Sequence, residues 1–586
     1  MYRTHILNAL NRGDVNKEII LSGWASSIRD HGGIIFIDLR DRSGSTQIVI
    51  DPSSNSYKEA KLVKNEYVIK IKGIVKERAF ENINKNNPTG EIEVICNELE
   101  ILNKSKHPAF EINDETPVSD TMKMKYRYLY LRRASGFKRL EIRSKFFKAM
   151  RDFLVNEGFL EVDTPILNKL TPEGARPFVV PSRLNEGEFY ALAQSPQLFK
   201  QILMVAGIEK YFQIAKCFRD EDLRSDRQPE FLQLDIETSF FTRDNIIDLG
   251  ERLVKYFMKD VFNKDIPKIP IMTYDEVMNK YGIDKPDLRF GLEIVDITDI
   301  AKETDFKVFK DASFHGLVRA INAKNSANIL SRKDIDELTD HIKKYGAKGL
   351  AWIKINEDST YTSVITKFLK EDELKKIVSK LDGKPNDILF FVADSHEVVY
   401  NSLGQLRLSL GEKLNLIDKD DLKFLWVIDF PLLEWNSEEK RYNAKHHPFT
   451  LYKKEDESKL ESDPLSVKSE AYDLVLNGNE VAGGSVRLFN EDQQSKVFKA
   501  MGFSSEEIEE KFGYLLEALR NGAPPHGGIA FGIDRFLAVM LKEESIREVI
   551  PFPKTQKGQC LMTEAPSPMA ANELIQLNIQ VIKKEK

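Results

Sequence analysis

Three short stretches of the chain put arginines and carboxylates where a phosphorylated ligand could use them. The first is "FRDEDLRSDRQPEF", Phe218 to Phe231, in which both signs of charge interleave between an apolar lead-in, "YFQIAKC", and an alternating lead-out, "LQLDIETSFF". It reads as strand, charged hairpin loop, strand, with Arg219 and Glu221 of like parity and therefore on one face. A planar guanidinium can grip a phosphate, a glutamate can accept from an adenine amino group, and Phe231 can stack on a base. An exposed hairpin laced with surface ion pairs is the bland alternative.

The second stretch, "HGGIAFGIDRFLAVMLK", is a strand of small residues turning into an apolar helix, with Asp534 expected as its cap and Arg535 just inside. An arginine beside Phe531, Ile533 and Phe536 is costly to bury unless an anion or a π-face meets it. Gly527, Gly528 and Gly532 would let a flat ligand lie close to backbone. In the third, "AYDLVLNGNEVAGGSVRLF", Asn477-Gly478 is the preferred two-residue hairpin turn. That register sets Val475 opposite Glu480 and Asp473 opposite Ala482, so Asp473 and Glu480 share a face. Two carboxylates so placed repel unless a cation joins them, and Mg²⁺, held by one or two carboxylates plus phosphates, fits. Arg487 has the opposite parity, which a bulge at Gly483-Gly484 would correct.

Polar residues on loops complete the set. "YALAQSPQLFKQILM" predicts a strand, Ser195 as cap, Pro196 at the first helical position, and Gln197 and Lys200 on the first turns, where small anions bind. "TPEGARPF" supplies Glu173, and "AKHHPFT" supplies His446 beside His447. No Ser-His-Asp or Cys-His pattern accompanies them, so covalent catalysis by the protein is not expected. Neither GxxxxGK[ST] nor a GxGxxG between strand and helix occurs, which excludes the commonest nucleotide folds.

The elements that must carry these residues need several cores, because 586 residues exceed one ordinary domain. With 41% hydrophobic and 30% charged residues the chain reads as globular, and its net charge of −6 means that a nucleic acid must find local basic patches. Cys96, Cys217 and Cys560 are too scattered for a metal box and read as core residues in a reducing compartment. No stretch reads as a signal peptide or a membrane span, so the reading is cytoplasmic with no membrane partner. Five short β-runs over residues 1–105 predict a small closed barrel, the five-stranded form that commonly binds nucleic acid. Its candidate face carries Arg29, Phe36, Gln47 and Arg78; an ordinary core role for Phe36 is the alternative. A polar connector leads to "KRLEIRSKFFKAMRDFLVNEGF", whose apolar spacing predicts a helix stopped by Gly158. Pro165 predicts that the following strand, "LEVDTPIL", lies at a sheet edge or a subunit contact.

Taken in order, these segments resemble class II aminoacyl-tRNA synthetases, and within them the bacterial-type aspartyl enzymes. "GFLEVDTPIL", "FRDEDLRSDRQPEF" and "GIAFGIDRF" are similar to motifs 1, 2 and 3, while "TPEGARPF", "QSPQLFKQ", "HHPFT" and "GGSVR" resemble the aspartate signatures. The fold class implied is α+β and multidomain: an OB-fold anticodon barrel (1–105), a linker (106–135), an antiparallel-sheet catalytic domain in two parts (136–285 and 419–570), an inserted α/β domain (286–418) and a C-terminal extension (571–586). The resemblance implies ATP as substrate, with Arg219 on the α-phosphate, Glu221 at the adenine amino group, Phe231 and Arg535 on the two adenine faces, and Gln228, Glu480, Gly532 and Asp534 beside them. Arg219 and Arg535 would be the catalytic pair, and Asp473 and Glu480 would hold Mg²⁺. L-Aspartate would offer its side chain to Arg487 and Lys200, and its ammonium and α-carboxylate to Glu173, Ser195, Gln197, Asp235 and His446.

The implied partners are tRNA(Asp), read by Arg29, His31, Phe36, Gln47 and Arg78, and a second subunit in a homodimer. His31-Gly32-Gly33 resembles the form found in relaxed-specificity enzymes that also charge tRNA(Asn). Lys445 and Ala482 depart from the family pattern, which has an apolar residue and a glycine there. The competing readings are an asparaginyl or lysyl enzyme of the same subclass and a non-catalytic tRNA-binding paralogue.

Overall fold

The computed structural model describes residues 1–171 and 175–582. The chain divides into two compact units, one of residues 1–144 with 547–568, the other of residues 145–546 with the segment from 569 onward.

In the first unit Glu18–His31, Ile34–Asp41, Gly44–Ile50, Val68–Glu77 and Ile92–Asn103 close a five-stranded barrel. Alternation decides what fills it: Ile35, Ile37 and Leu39 point inward and are buried, so Phe36 and Asp38 face out. Phe36 is therefore not a barrel core residue. The stretch expected to be a linker carries two short helices, Asp120–Lys125 and Arg127–Tyr130, and the buried Arg127 donates to the carbonyls of Arg547, Ile550 and Pro551.

The second unit is built on an eight-stranded sheet in the order Ile271–Thr273, Phe424–Ile428, Ala471–Leu476, Asn479–Val486, His526–Gly532, Glu230–Ser239, Lys210–Phe218, Leu160–Glu161. Its central pairs are antiparallel, and the two outermost pairs are parallel. Leu160–Glu161 is the edge that Pro165 foretold, shortened to two residues. The predicted helix runs Ala134–Asn156, and Gly158 follows at φ +82°, a conformation that costs glycine little. Within 286–418 lies a separate five-stranded antiparallel sheet with its own buried helix, His396–Lys413. No described helix is long and apolar enough to cross a membrane.

Candidate active site

Two cavities open on the face of the eight-stranded sheet and share Arg219, Glu221, Gln233, Glu480 and Ala530 in their walls. The first, about 270 Å³, is lined by Arg219, Glu221, Gln228, Phe231, Gly532, Asp534 and Arg535. Its walls come from the charged hairpin loop and from the strands Glu230–Ser239, Asn479–Val486 and His526–Gly532. The first strand of the hairpin ends at Phe218, three residues short of Glu221, so Arg219 and Glu221 stand on the loop and not on the strand. Arg219 is steered by its own backbone, whose N–H donates to Pro229 O at 2.9 Å, and its guanidinium lies 5.1 Å from the Phe231 ring centre. Glu221 accepts from Arg227 at 2.8 Å. Arg535 donates to the Glu480 carbonyl at 2.9 Å, which turns it across the cavity.

Asp534 does not cap its own helix. Gly532 is the N-cap residue, and Asp534 accepts from the Leu232 N–H at 2.9 Å, tying the helix to the neighbouring strand. The glycines also divide their work. A methyl group at Gly528 would sit 2.2 Å from the Glu237 carboxylate, and one at Gly527 would meet Ile246, so those two make room for protein; Gly532 is the one that borders the cavity.

The second cavity, about 460 Å³, is lined by Ser195, Gln197, Lys200, Asp235, His446, His447, Asp473 and Arg487 among others. Its base is a buried cluster of four charges. Lys200 donates to Asp235 at 2.8 Å and stands 3.4 Å from Glu237, while Arg487 grips Glu237 through Nε at 2.8 Å and Nη2 at 3.0 Å. All four side chains are at most 2% exposed. Burial opposes ionisation of Glu237, yet the charges of Arg487 and Lys200 hold its carboxyl below the usual range. Arg487 Nη1 donates to Ser485 Oγ and to His447 Nε2, while the Phe449 N–H donates to His447 Nδ1 at 3.3 Å, and both contacts oppose a protonated ring. Burial first, then the Arg487 charge, pushes the His447 pKa well down, in agreement.

Donor arithmetic shows what remains. A guanidinium has five N–H groups, and four of those on Arg487 are used by Glu237, Ser485 and His447; Lys200 has three, of which one goes to Asp235 and one faces the ion-pair contact with Glu237 at 3.4 Å. One donor on each cation is left, two N–H groups for the two oxygens of a carboxylate. Beside them Gln197 Nε2, a donor, and Asp235 Oδ2, an acceptor, are buried without partners among the described residues. A ligand with an anionic side chain, an ammonium and a second carboxylate has the groups to pair with these donors and this acceptor.

The Asn477-Gly478 turn forms as expected, with φ of +49° and +80°. The bulge is not at Gly483-Gly484. Val475 faces Glu480 but Leu474 faces Ala482, so Val481 is the extra residue and Asp473 lies opposite Gly483 instead of Ala482. The slip brings Glu480, Gly483, Ser485 and Arg487 onto one face, as the chemistry needed. A methyl at Gly483 would lie 2.6 Å from Asp473 Oδ1 and 3.6 Å from Glu480 Oε1, so the missing side chain is the space between the two acids. Burial, and then Asp473, push the Glu480 pKa up. Asp473 also accepts from His446 Nε2 at 3.1 Å; burial opposes protonation of that ring, but Asp473 prevails and raises its pKa. Among the described residues no group of three or more His, Cys, Asp and Glu gathers as a metal site. A pair of carboxylates is what remains, and it suits an ion that takes its other ligands from phosphates and water.

On the barrel, Arg29 lies directly across from Phe36 and donates to Asp38 at 3.1 Å and Gln47 at 3.4 Å. Gln47 in turn donates to Glu93 at 3.0 Å, Arg78 donates to the Ile92 carbonyl, and His31 meets Phe36 edge-on at 6.1 Å. The face thus joins a half-buried ring to alternating charges, a surface fit for stacked bases.

Residues 119–556 match the family described as tRNA synthetases class II (D, K and N), and residues 19–102 match OB-fold nucleic acid binding domains. The chain belongs to the class II tRNA synthetases. It is 50% identical to an aspartate–tRNA(Asp/Asn) ligase of Geobacillus sp., over 100% of this chain and 99% of that one, and 51% identical to one of Persephonella marina, over 99% and 97%. Its fold is similar to asparaginyl-tRNA synthetase from Pyrococcus horikoshii (TM-score 0.59, 19% identity, 95% and 99% coverage) and to a structure titled a putative aspartyl-tRNA synthetase from Leishmania major (0.59, 17%, 94% and 94%).

The fold of this synthetase places its expected residues in the two cavities and on the barrel face, except Glu173, which lies outside the described residues. Ser195 Oγ accepts from Gln197 N at 3.3 Å, with Pro196 at the N-cap, one position earlier than expected. Glu237 was missed, although its signal was present: in "QLDIET" it has the parity of Asp235. Ser485 and the pairing role of His447 left no local trace. Lys445 turns to Glu434 at 3.0 Å, and Ala482 fits between Leu474 and Phe531.

Proposed function

We propose that this chain is an aspartate–tRNA ligase that activates L-aspartate with ATP to aspartyl-adenylate and transfers the aspartyl group to the 3′ end of tRNA(Asp), and of tRNA(Asn) as well. The observation that carries the reading is the two spare N–H groups of Lys200 and Arg487 in a buried cavity that shares Arg219 with its neighbour. Asparagine would present an amide whose NH₂ must face a cation, leaving a buried charge unanswered. Asp235 Oδ2 would take the ammonium, and Gln197 Nε2 the α-carboxylate, with Ser195, Glu173 and His446 nearby.

An α-carboxylate is ionised at neutral pH, so it can attack the α-phosphorus without a general base. Arg219 would meet the charge that grows on the α-phosphate, Phe231 and Arg535 would hold the adenine between them, and Glu221, Gln228 and Asp534 would border it. Asp473 and Glu480 fit Mg²⁺, which when bound supplies positive charge against the phosphates. The barrel face of Arg29, His31, Phe36, Gln47 and Arg78 would read the anticodon. His31-Gly32-Gly33, with both glycines at positive φ, supports charging of tRNA(Asn), as do the names of the relatives. Exposed Leu160, Ile166, Leu167 and Leu170 support a homodimer through this edge, and three reduced cysteines fit a cytoplasmic enzyme. Aspartate-dependent ATP–pyrophosphate exchange tests activation, and charging of purified tRNA(Asp) and tRNA(Asn) tests transfer. Exchange that follows asparagine or lysine, or none at all, overturns the reading.

A further inference from the structure

The segment from Gly282 to Phe290, "GIDKPDLRF", carries charges to the cleft that the reaction outlined above leaves unused. It is held as a rigid elbow. Gly282 has φ +71° and no room for a side chain against the Tyr400 carbonyl. The fully buried Arg407 donates to the carbonyls of Asp287, Phe290 and Gly291, with its guanidinium 4.1 Å from the Phe290 ring centre. Asp287 is clasped by Arg289 at 2.7 and 3.0 Å and packs against the turn at Gly478, where a methyl would meet its Cβ at 3.3 Å.

That turn is two residues before Glu480, so the elbow is fixed beside the paired acids. Asp284 lines the second cavity together with Asp473 and Glu480. Lys285 is half exposed, and its ion pair with the adjacent Asp284 spans 3.7 Å, too long for a hydrogen bond. Its charge also acts on Glu480. A half-exposed ammonium one residue along the chain from Asp284, which lines the cavity beside the two acids that suit a phosphate-bound cation, has a phosphate as its complement in the proposed chemistry.

We propose that Lys285 is a phosphate-binding residue of the activation step, meeting the β- and γ-phosphates of ATP and so the pyrophosphate that departs. The inference rests on the ligase reading. In the step concerned, an aspartate α-carboxylate oxygen bonds to the α-phosphorus, the bond from that phosphorus to the oxygen bridging to the β-phosphate breaks, and pyrophosphate leaves with the electron pair. Lys285 adds a positive charge at the leaving group while Arg219 stays with the α-phosphate. Lysine suits this place because a compact ammonium on a flexible stem can follow a group that moves away.

The test uses the full chain with Lys285→Met and Lys285→Arg. Binding of ATP and of adenosine is measured by calorimetry, and KM values for ATP, pyrophosphate and aspartate by exchange. Lys285→Met is expected to weaken ATP and pyrophosphate by roughly 10- to 100-fold, the range for a charge-assisted hydrogen bond, with adenosine affinity and the aspartate KM within about twofold. Lys285→Arg is expected to recover most of the loss. Unchanged ATP affinity in Lys285→Met, or an equal loss for adenosine or aspartate, overturns the inference. If the unaltered chain lacks aspartate-dependent exchange, the ligase reading falls by itself, and the contrast between ATP and adenosine still decides the role of Lys285.

Discussion

At the amino-acid end of the cleft Lys200, Asp235, Glu237 and Arg487 pair with one another and are at most 2% exposed; at the nucleotide end the side chains of Arg227 and Asp226 are 45% and 49% exposed, and their partners are single and exchangeable. The first arrangement is rigid because a buried charge that loses its partner has no water to turn to. The second can be remade around a ligand at little cost, since exposed ion pairs contribute about 0–1 kcal/mol. Discrimination between two similar amino acids needs the former, and entry of a large, flexible triphosphate needs the latter.

The comparison breaks most visibly at Arg487. Arg487→Leu strands Glu237, and we expect a loss of roughly 3–5 kcal/mol in urea-unfolding free energy together with loss of aspartate-dependent exchange. Arg219→Gln should be the reverse case: exchange kcat lower by about 10²- to 10³-fold, with unfolding free energy within about 0.5 kcal/mol of the parent.

Glu480 sharpens the contrast, being half-buried where the two cavities meet. A carboxyl whose pKa the fold pushes up is stabilising below its ordinary pKa and loses that contribution as pH rises through its folded pKa, so at neutral pH the ionised form works against folding. Glu480→Gln should therefore raise Tm at neutral pH while lowering exchange, and the gain in Tm should shrink in acid.

Arg29→Ala on the barrel should leave exchange unchanged and reduce the salt slope of tRNA binding by about 1, or less where Arg29 remains with Asp38. The smallest effect is expected for Glu221→Gln, which loses one exposed pair with Arg227: under about 1 kcal/mol in stability, and a few-fold rise in the KM for ATP.

Much of this was legible in the chain. Alternation announced the barrel strands, Asn477-Gly478 its hairpin, Gly158 the helix end, and Pro165 the edge. Local rules failed where one residue shifts a register or a distant group competes. The bulge was assigned to the glycines, yet Val481 holds it, because the neighbouring strand keeps Gly484 close-packed, where a methyl would lie 2.1 Å from Gly528 O. Asp534 looked like a cap, but the Leu232 N–H takes it. Glu237 was invisible as a partner since its arginine lies 250 residues away.

The sequence by itself determined which groups could meet a phosphate, a carboxylate or a base, because side-chain chemistry is a local property. Only the tertiary structure decided which of them pair with each other and which keep a donor free. That depends on strands from residues 230–239, 479–486 and 526–532 lying side by side, and on the burial of the side chains between them, which makes each unpaired group costly.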